Sequence, residues 1–189
     1  MKQEYYPWGG EFTSCSQNGC VAVVLLNINY KPNEVVAIFG SLRTENIGIE
    51  KIVANVISNP NIRYLVICGN DIRGHHSGMS LIALNKNGID DQHKIINAPG
   101  AIPYIENLNG EAIERFRDQI EIIDLLGITD IKKLDKTIDS LSVKSPPSFG
   151  EPYIAIKIIA ESSVKLNDKR ALHSKIIINY MGKIERRDK

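Results

Sequence analysis

A chain of 189 residues with 43% apolar and 24% charged side chains has the make-up of a soluble globular protein, with one well-filled core and room for a small second subdomain. A formal net charge of +1 gives no electrostatic footprint for nucleic acid, and no apolar run reaches the roughly 18 residues of a membrane span. The opening MKQEYYPWGG carries no apolar signal core, which predicts a cytoplasmic protein without direct membrane insertion, and three cysteines do not make a disulfide scaffold.

Taken in order, residues 1–20 read as irregular, broken by Pro7, Gly9, Gly10 and Gly19, with Tyr5, Tyr6, Trp8 and Phe12 available to clamp them onto a core. Val21 to Leu26 (VAVVLL) is apolar at every position, the mark of a strand buried on both faces. After a polar turn with Pro32, Val35 to Phe39 predicts a second strand closed by Gly40. Ile49, Ile52, Val53, Val56 and Ile57 then fall at helical spacing, with Thr44 as N-cap, Glu45 in the first turn and Pro60 as the stop. Tyr64 to Cys68 is another fully apolar run, ended by Gly69, and so a central strand. A loop with two adjacent histidines, His75 and His76, lies between Gly74 and Gly78. The helix after it carries Leu81 and Leu84 and stops at Gly88.

Ile95 and Ile96 predict a short strand leading into Asn97-Ala98-Pro99-Gly100-Ala101-Ile102-Pro103-Tyr104, a stiff turn whose small residues let a backbone approach a ligand. Asn109 caps a helix with the stripe Ile113, Phe116, Ile120 and Ile123. Thr129 caps another with Ile131, Leu134, Ile138 and Leu141. Ser145 to Gly150 (SPPSFG) reads as a hinge or linker, and Tyr153 to Ile159 and Lys175 to Tyr180 as β-like runs that extend the sheet in antiparallel fashion. The alternation of strands and helices predicts an α/β fold, doubly wound, with a mostly parallel sheet and helices on both faces. It fills a domain of residues 1–150 with its core at about 20–126, followed by a β-rich C-terminal extension over 151–189.

The histidine loop follows the carboxyl end of a central strand, the place where open α/β sheets bind ligands. GxGxxG after the first strand, GxxxxGK[ST] and GxSxG are all absent, so dinucleotide, P-loop and nucleophile-elbow chemistry lack their signatures. Cys68, at the end of a buried strand, reads as an inert small hydrophobe. Cys15 and Cys20, with the two histidines, compose a weak zinc pattern beside the simpler reading of reduced thiols. His75-x-x-Gly78 is half of the Asp-x-His-x-x-Gly pattern of a group of corrinoid-binding domains, with Arg73 where the aspartate would stand and the later Gly-Gly missing, so that on this motif alone a histidine in a surface turn is the better reading.

Longer strings carry a more specific likeness. Thr44-Glu45-Asn46-Ile47-Gly48-Ile49-Glu50-Lys51, Ala54-Asn55, Ile57 to Arg63, Cys68-Gly69, Gly74-His75, Gly78 and Gly100 to Asn107 form one set. Together they resemble the family of the A subunit of tetrahydromethanopterin S-methyltransferase, over about residues 20–126. That is the corrinoid-carrying subunit of a methyl-transfer complex of methanogenic archaea. The resemblance implies a Rossmann-like domain that holds a cobalamin-type cobamide (a cobalt corrinoid), with His75 as the lower axial ligand of cobalt. It implies an enzyme subunit that carries a methyl group from methyl-tetrahydromethanopterin towards coenzyme M, working with other methyltransferase subunits. The cofactor-binding positions it implies are Thr44, Glu45, Asn46 and Gly48; Gly69, Gly74, His75, Ser77 and Gly78; and Pro99, Gly100, Ala101, Ile102, Pro103 and Tyr104. The first and last of these groups open a helix and form a stiff turn at one end of the sheet, where a large cofactor would rest. His76 stands at a site usually apolar in the family, and Met79 replaces a usual glutamine. The family's membrane anchor has no counterpart in the polar tail, which reads as a soluble variant. A corrinoid storage or sensing protein, and an α/β interaction domain without the cofactor, are the alternative classes.

Overall fold

The computed structural model describes residues 5–156 and two short strands, 176–178 and 184–186. Its centre is a five-stranded sheet. β1 (Phe12–Ser14), β2 (Val21–Leu26), β3 (Ile38–Ser41), β4 (Tyr64–Gly69) and β5 (Glu121–Leu126) lie in the order β1-β3-β2-β4-β5. β2 pairs in parallel with β3 and β4, and β4 with β5, while β1 runs antiparallel to β3. The all-apolar runs occupy the middle because a strand buried on both faces needs apolar side chains at every position: all six residues of β2, and all six of β4, are buried.

α1 (Ile47–Ser58), α2 (Ser77–Asn87) and α3 (Gly110–Gln119) share one core with Ala22, Val24, Leu26, Leu65 and Ile67. α4 (Ile131–Lys144) packs Leu134, Ile138 and Leu141 against Val21, Val23, Tyr64 and Val66 on the opposite face. Ile49, Val53 and Ile57 in α1 are fully buried, each contributing about 1.5–3 kcal/mol by leaving water. Tyr6, Trp8 and Phe12 pack onto the three-helix side of the sheet, as the aromatic spacing of the N-terminus predicts. The backbone N–H of Trp8 donates to Asn55 Oδ1 at 2.9 Å, and Asn55 Nδ2 donates back to the Trp8 carbonyl at 2.7 Å.

Several boundaries differ from the sequence expectation. The second strand is 38–41, not 35–39, because Asn33 opens a turn: its side chain accepts from Val35 N at 3.3 Å and its carbonyl from Val36 N at 3.5 Å. α1 starts after Asn46, whose Oδ1 accepts from Ile47 N at 2.8 Å; Thr44 Oγ1 accepts one residue further in, from Gly48 N at 3.0 Å. Asp130, not Thr129, caps α4 by accepting from Lys132 N and Lys133 N. Ile120 and Ile123 do not continue a helical stripe. α3 ends at Gln119, and Glu121–Leu126 is the edge strand β5. Ile95 and Ile96 form no strand; Ile95 makes one isolated bridge to Ile89.

The tail departs too. Residues 145–150 are irregular but docked: Phe149 N donates to the Pro60 carbonyl at 2.9 Å, Arg63 Nη1 to the Pro147 carbonyl at 2.9 Å and Arg115 Nη2 to the Phe149 carbonyl at 2.6 Å. They act as a strap across the amino-terminal edge of the sheet, not as a hinge. Residues 153–156 are not a strand, and 157–159 lie outside the described residues. β6 (Ile176–Ile178) pairs antiparallel with β7 (Ile184–Arg186) in a separate two-stranded sheet, so it does not extend the central one.

Candidate functional site

β4 stops at Gly69, whose φ of +92° no L side chain adopts easily; a Cβ there would lie 2.0 Å from the Leu26 carbonyl oxygen. The chain turns at once. His75 N and His76 N both donate to the Ile72 carbonyl, at 3.1 and 3.0 Å, and Gly74 at φ +91° allows the bend. His76 is left-handed, at φ +45°, and its carbonyl accepts from Ser80 N, so α2 begins directly behind the histidines.

His76 provides no side-chain cap. Asp71 provides it instead. Its Oδ1 accepts from Gly78 N at 3.0 Å and from Ser77 Oγ at 3.4 Å, and its Oδ2 from Met79 N at 2.9 Å. One carboxylate thus closes the loop on itself and satisfies orphan donors at a helix N-terminus, where negative charge is favoured. Sequence reasoning missed Asp71, since a cap six to eight residues upstream is outside any local capping pattern.

His75 Nδ1 lies 3.1 Å from Glu45 Oε2. The Glu45 side chain is 5% exposed and that of His75 55%, so the carboxylate is the buried anchor and the imidazole projects from it. Glu45 Oε1 accepts from Ile102 N at 3.1 Å. Burial pushes the Glu45 carboxyl up, but the hydrogen bonds it accepts from its own N–H, from Ile102 N–H and from His75 outweigh burial and hold it below the usual glutamate range. An ionised carboxylate only accepts. Nδ1 therefore carries the proton, and a neutral ring keeps its lone pair on Nε2.

A third segment meets the pair. Gly100 N donates to Ser80 Oγ at 3.2 Å, and a Cβ at Gly100 would come within 2.8 Å of Glu45 Cγ, the His75 carbonyl oxygen and Ser80 Oγ. The segments at 44–48, 69–78 and 99–104 thus converge at the carboxyl edge of the sheet. Within them the residues divide. Gly48, Gly69 and Gly78 are packed against protein: a Cβ at Gly78 would strike Leu26 Cδ1 at 2.4 Å, so its absence lets α2 lie on the sheet. Ser77 is buried beside Asp71, and buried Pro103 accepts from Ile95 N at 2.8 Å through its carbonyl. Asn46, Ile102 and Tyr104 line a cavity of about 200 Å³ with Glu50. Ile47, Ile72, Met79 and Ile102 are exposed apolar side chains on the same segments. Pro99 and Ala101 are exposed, Thr44 is half-buried, and a Cβ at Gly74 would meet nothing within 4 Å.

Burial pushes the Cys68 thiol up to about 11, which leaves it inert at neutral pH. Among the described residues, no three side chains of His, Cys, Asp or Glu group into a metal-binding set, so nothing supports the zinc pattern of Cys15, Cys20 and the histidines. A single exposed imidazole nitrogen is a donor suited to completing a metal that brings its other ligands with it.

The class defined by fold and site is an α/β protein with a mostly parallel sheet that presents one carboxylate-oriented histidine from its carboxyl edge. A family model described as the A subunit of tetrahydromethanopterin S-methyltransferase matches residues 2–165, and the chain belongs to that family. It is similar to the A subunit of the tetrahydromethanopterin S-methyltransferase of Methanohalophilus mahii, at 41% identity over 81% of this chain and 65% of the relative. The corresponding protein of Methanocaldococcus jannaschii is 45% identical over 77% of this chain and 63% of its own length. The A subunit of a putative methyltransferase Mtx from Methanosarcina acetivorans is 39% identical over 82% of this chain and 78% of the relative. The chain thus spans less than two thirds of the two S-methyltransferase relatives and more than three quarters of the Mtx protein.

Proposed function

We propose that this chain is a corrinoid-binding methyl-transfer subunit in which His75, through Nε2, would hold the cobalt. The carrying observation is the His75–Glu45 pair, with Nδ1 held by a buried carboxylate on a side chain that is itself 55% exposed. The residues fit the group. Orienting an imidazole through its second nitrogen is how proteins raise the basicity of a metal-ligating histidine. A Cβ at Gly74 would meet nothing within 4 Å, so the loop surface next in sequence to His75 is open. Exposed Ile72, Met79 and Ile102 supply apolar surface for the group. The sheet order and the packing of helices on both faces support a Rossmann-like, doubly wound reading, in which ligands rest beyond the carboxyl ends of the strands.

When bound, the corrinoid supplies a nucleophilic cobalt centre able to accept and release a methyl group. The chain's own residues do the rest. Glu45 fixes the tautomer and angle of His75, and Asp71 and the Ile72 carbonyl hold the loop in shape. Glu45 also ties the 99–104 segment to the ligand loop through Ile102 N–H. Two of the relatives are named as a subunit of a tetrahydromethanopterin S-methyltransferase; methyl-tetrahydromethanopterin as donor, a thiol such as coenzyme M as acceptor and further methyltransferase subunits as partners belong to this proposal. A cytoplasmic site of action belongs to the same proposal. Among the described residues no helix is long and apolar enough to cross a membrane.

The test is nitrogen hyperfine coupling in the electron paramagnetic resonance of the protein loaded with cobalt(II) corrinoid. The wild type and His76→Ala should show coupling to one imidazole nitrogen, and His75→Ala should lose it. Coupling that survives in His75→Ala and vanishes in His76→Ala would move the ligand to His76. Coupling that survives in both would exclude both histidines.

A further inference from the structure

We infer that the pocket between α1 and the β1–β3 flank of the sheet binds a small amphiphilic anion, a short branched aliphatic acid with its tail inside and its carboxylate on Lys51. The site goes beyond the corrinoid reading and stands independently of it: none of its walls comes from residues 69–78 or 99–104.

The pocket has a volume of about 90 Å³. Its floor is the helix-facing side of the sheet, with Ala22 and Val24 in β2 and Leu65 in β4, and its roof is Ile52 and Val56 in α1. Protein interiors leave few voids larger than a water molecule, and a void lined by apolar side chains stays dry and takes apolar guests. Asn55, on the same helix wall, is buried with both amide atoms committed to Trp8, so it offers the interior no free hydrogen bond. At roughly 30 Å³ for a water-sized group, such a volume admits about three or four carbon atoms. The interior therefore selects a short apolar tail.

The rim selects the charge. Phe12, Lys51 and Ile52 are half-buried, so the pocket reaches the surface between them. A Cβ at Gly10 would lie 3.8 Å from Lys51 Cδ, which places the Lys51 stem beside the turn that leads into β1. Among the described residues Lys51 has no ion-pair partner. Glu11, the acidic side chain of the lining, is held by Arg43 at 3.0 Å and does not neutralise the ammonium. An uncommitted cation over an apolar slot matches an anion that carries its charge at the end of a short chain.

The experiment titrates the full chain, labelled at its methyl groups, with isovalerate and with its neutral isostere isovaleramide, read by NMR. Isovalerate should shift the methyls of Ala22, Val24, Ile52 and Leu65 with a dissociation constant of about 1 mM or below. The amide should bind about tenfold more weakly, the scale of one charge-assisted contact. Lys51→Gln should abolish that preference and leave amide binding unchanged. Ala22→Val, which fills the floor with a strand-forming residue, should weaken both ligands; if that variant does not fold, Lys51→Gln decides alone. Absence of shifts at these methyls, or a preference for the acid that survives in Lys51→Gln, would overturn the inference. So would contacts in the free protein between these methyls and residues 157–189, which would give the pocket to the chain's own tail. Each of these outcomes leaves the corrinoid reading and His75 untouched.

Discussion

The two ends of the sheet are built to opposite specifications. At the amino-terminal edge the strong donors of Gln119, Arg63 and Arg115 are directed at protein. Gln119, 1% exposed, directs Nε2 at the carbonyls of Val56, Asn59 and Ile62, at 3.2, 3.0 and 3.0 Å, and accepts from Arg115 Nε at 2.7 Å. Arg63 and Arg115 lie over the Phe149 ring at 5.1 and 4.8 Å and donate to the strap that carries it. At the carboxyl edge a half-exposed imidazole, a ring of exposed apolar side chains and a cavity of about 600 Å³ are left open. An edge with its hydrogen bonds closed adds stability, and an edge with oriented but uncommitted groups forgoes that stability and leaves those groups free.

The largest expected effect is at the base of the open edge. Gly69→Ala forces a side chain into φ +92° and into the Leu26 carbonyl. It should cost more than about 3 kcal/mol or prevent accumulation of folded protein. A urea midpoint close to wild type would show that the strand end can yield. At the closed edge, Gln119→Leu strips the donor from three carbonyls and should cost about 2–3 kcal/mol. The corrinoid affinity of the protein that remains folded should stay unchanged. A matching fall in affinity would mean that the two edges act as one unit and would break the contrast.

Asp71→Ala sharpens it. Loss of a helix cap costs about 1 kcal/mol of stability, less than Gln119→Leu, yet it frees the loop that presents His75. Corrinoid affinity, read by absorbance titration, should therefore fall in Asp71→Ala and not in Gln119→Leu. Unchanged affinity in Asp71→Ala would show that the loop needs no such tie.

Much of the frame was legible because it is local. VAVVLL and YLVIC are apolar at every position, so their places as β2 and β4 follow from the run itself, and Gly88 ends α2 as its place after Leu84 implies. β5 was not legible. Ile120 and Ile123 continue the spacing of Ile113 and Phe116, and an edge strand tolerates the exposed Glu121 and Asp124 that mimic a helix surface. β1 is three residues long and exists through its pairing with β3. In the site, the glycine-flanked loop after β4 and the family likeness brought His75, Glu45 and Gly100 forward. The contact between His75 and Glu45 joins residues thirty apart through the fold, and no periodicity encodes it.

The smallest effect separates the two adjacent histidines. His76 stands in the left-handed region at φ +45°, with no side-chain cap bond to the helix it precedes. That conformation costs a residue with a Cβ about 1 kcal/mol or somewhat more, and costs glycine almost nothing. His76→Gly should therefore raise stability by up to about 1 kcal/mol, because the backbone keeps its bend at Ile72 and α2 keeps its cap at Asp71. The offsetting term is the greater freedom of glycine in the unfolded chain, so the net gain should be a fraction of that figure. The corrinoid affinity and the cobalt(II) hyperfine pattern should match wild type, since nothing that orients His75 passes through the His76 side chain. Stability measured by urea melts and coupling measured on the same preparation decide both points. A loss of stability would show that the His76 ring packs usefully after all. Loss of coupling with stability intact would show that the open edge presents His76, not His75, to the metal.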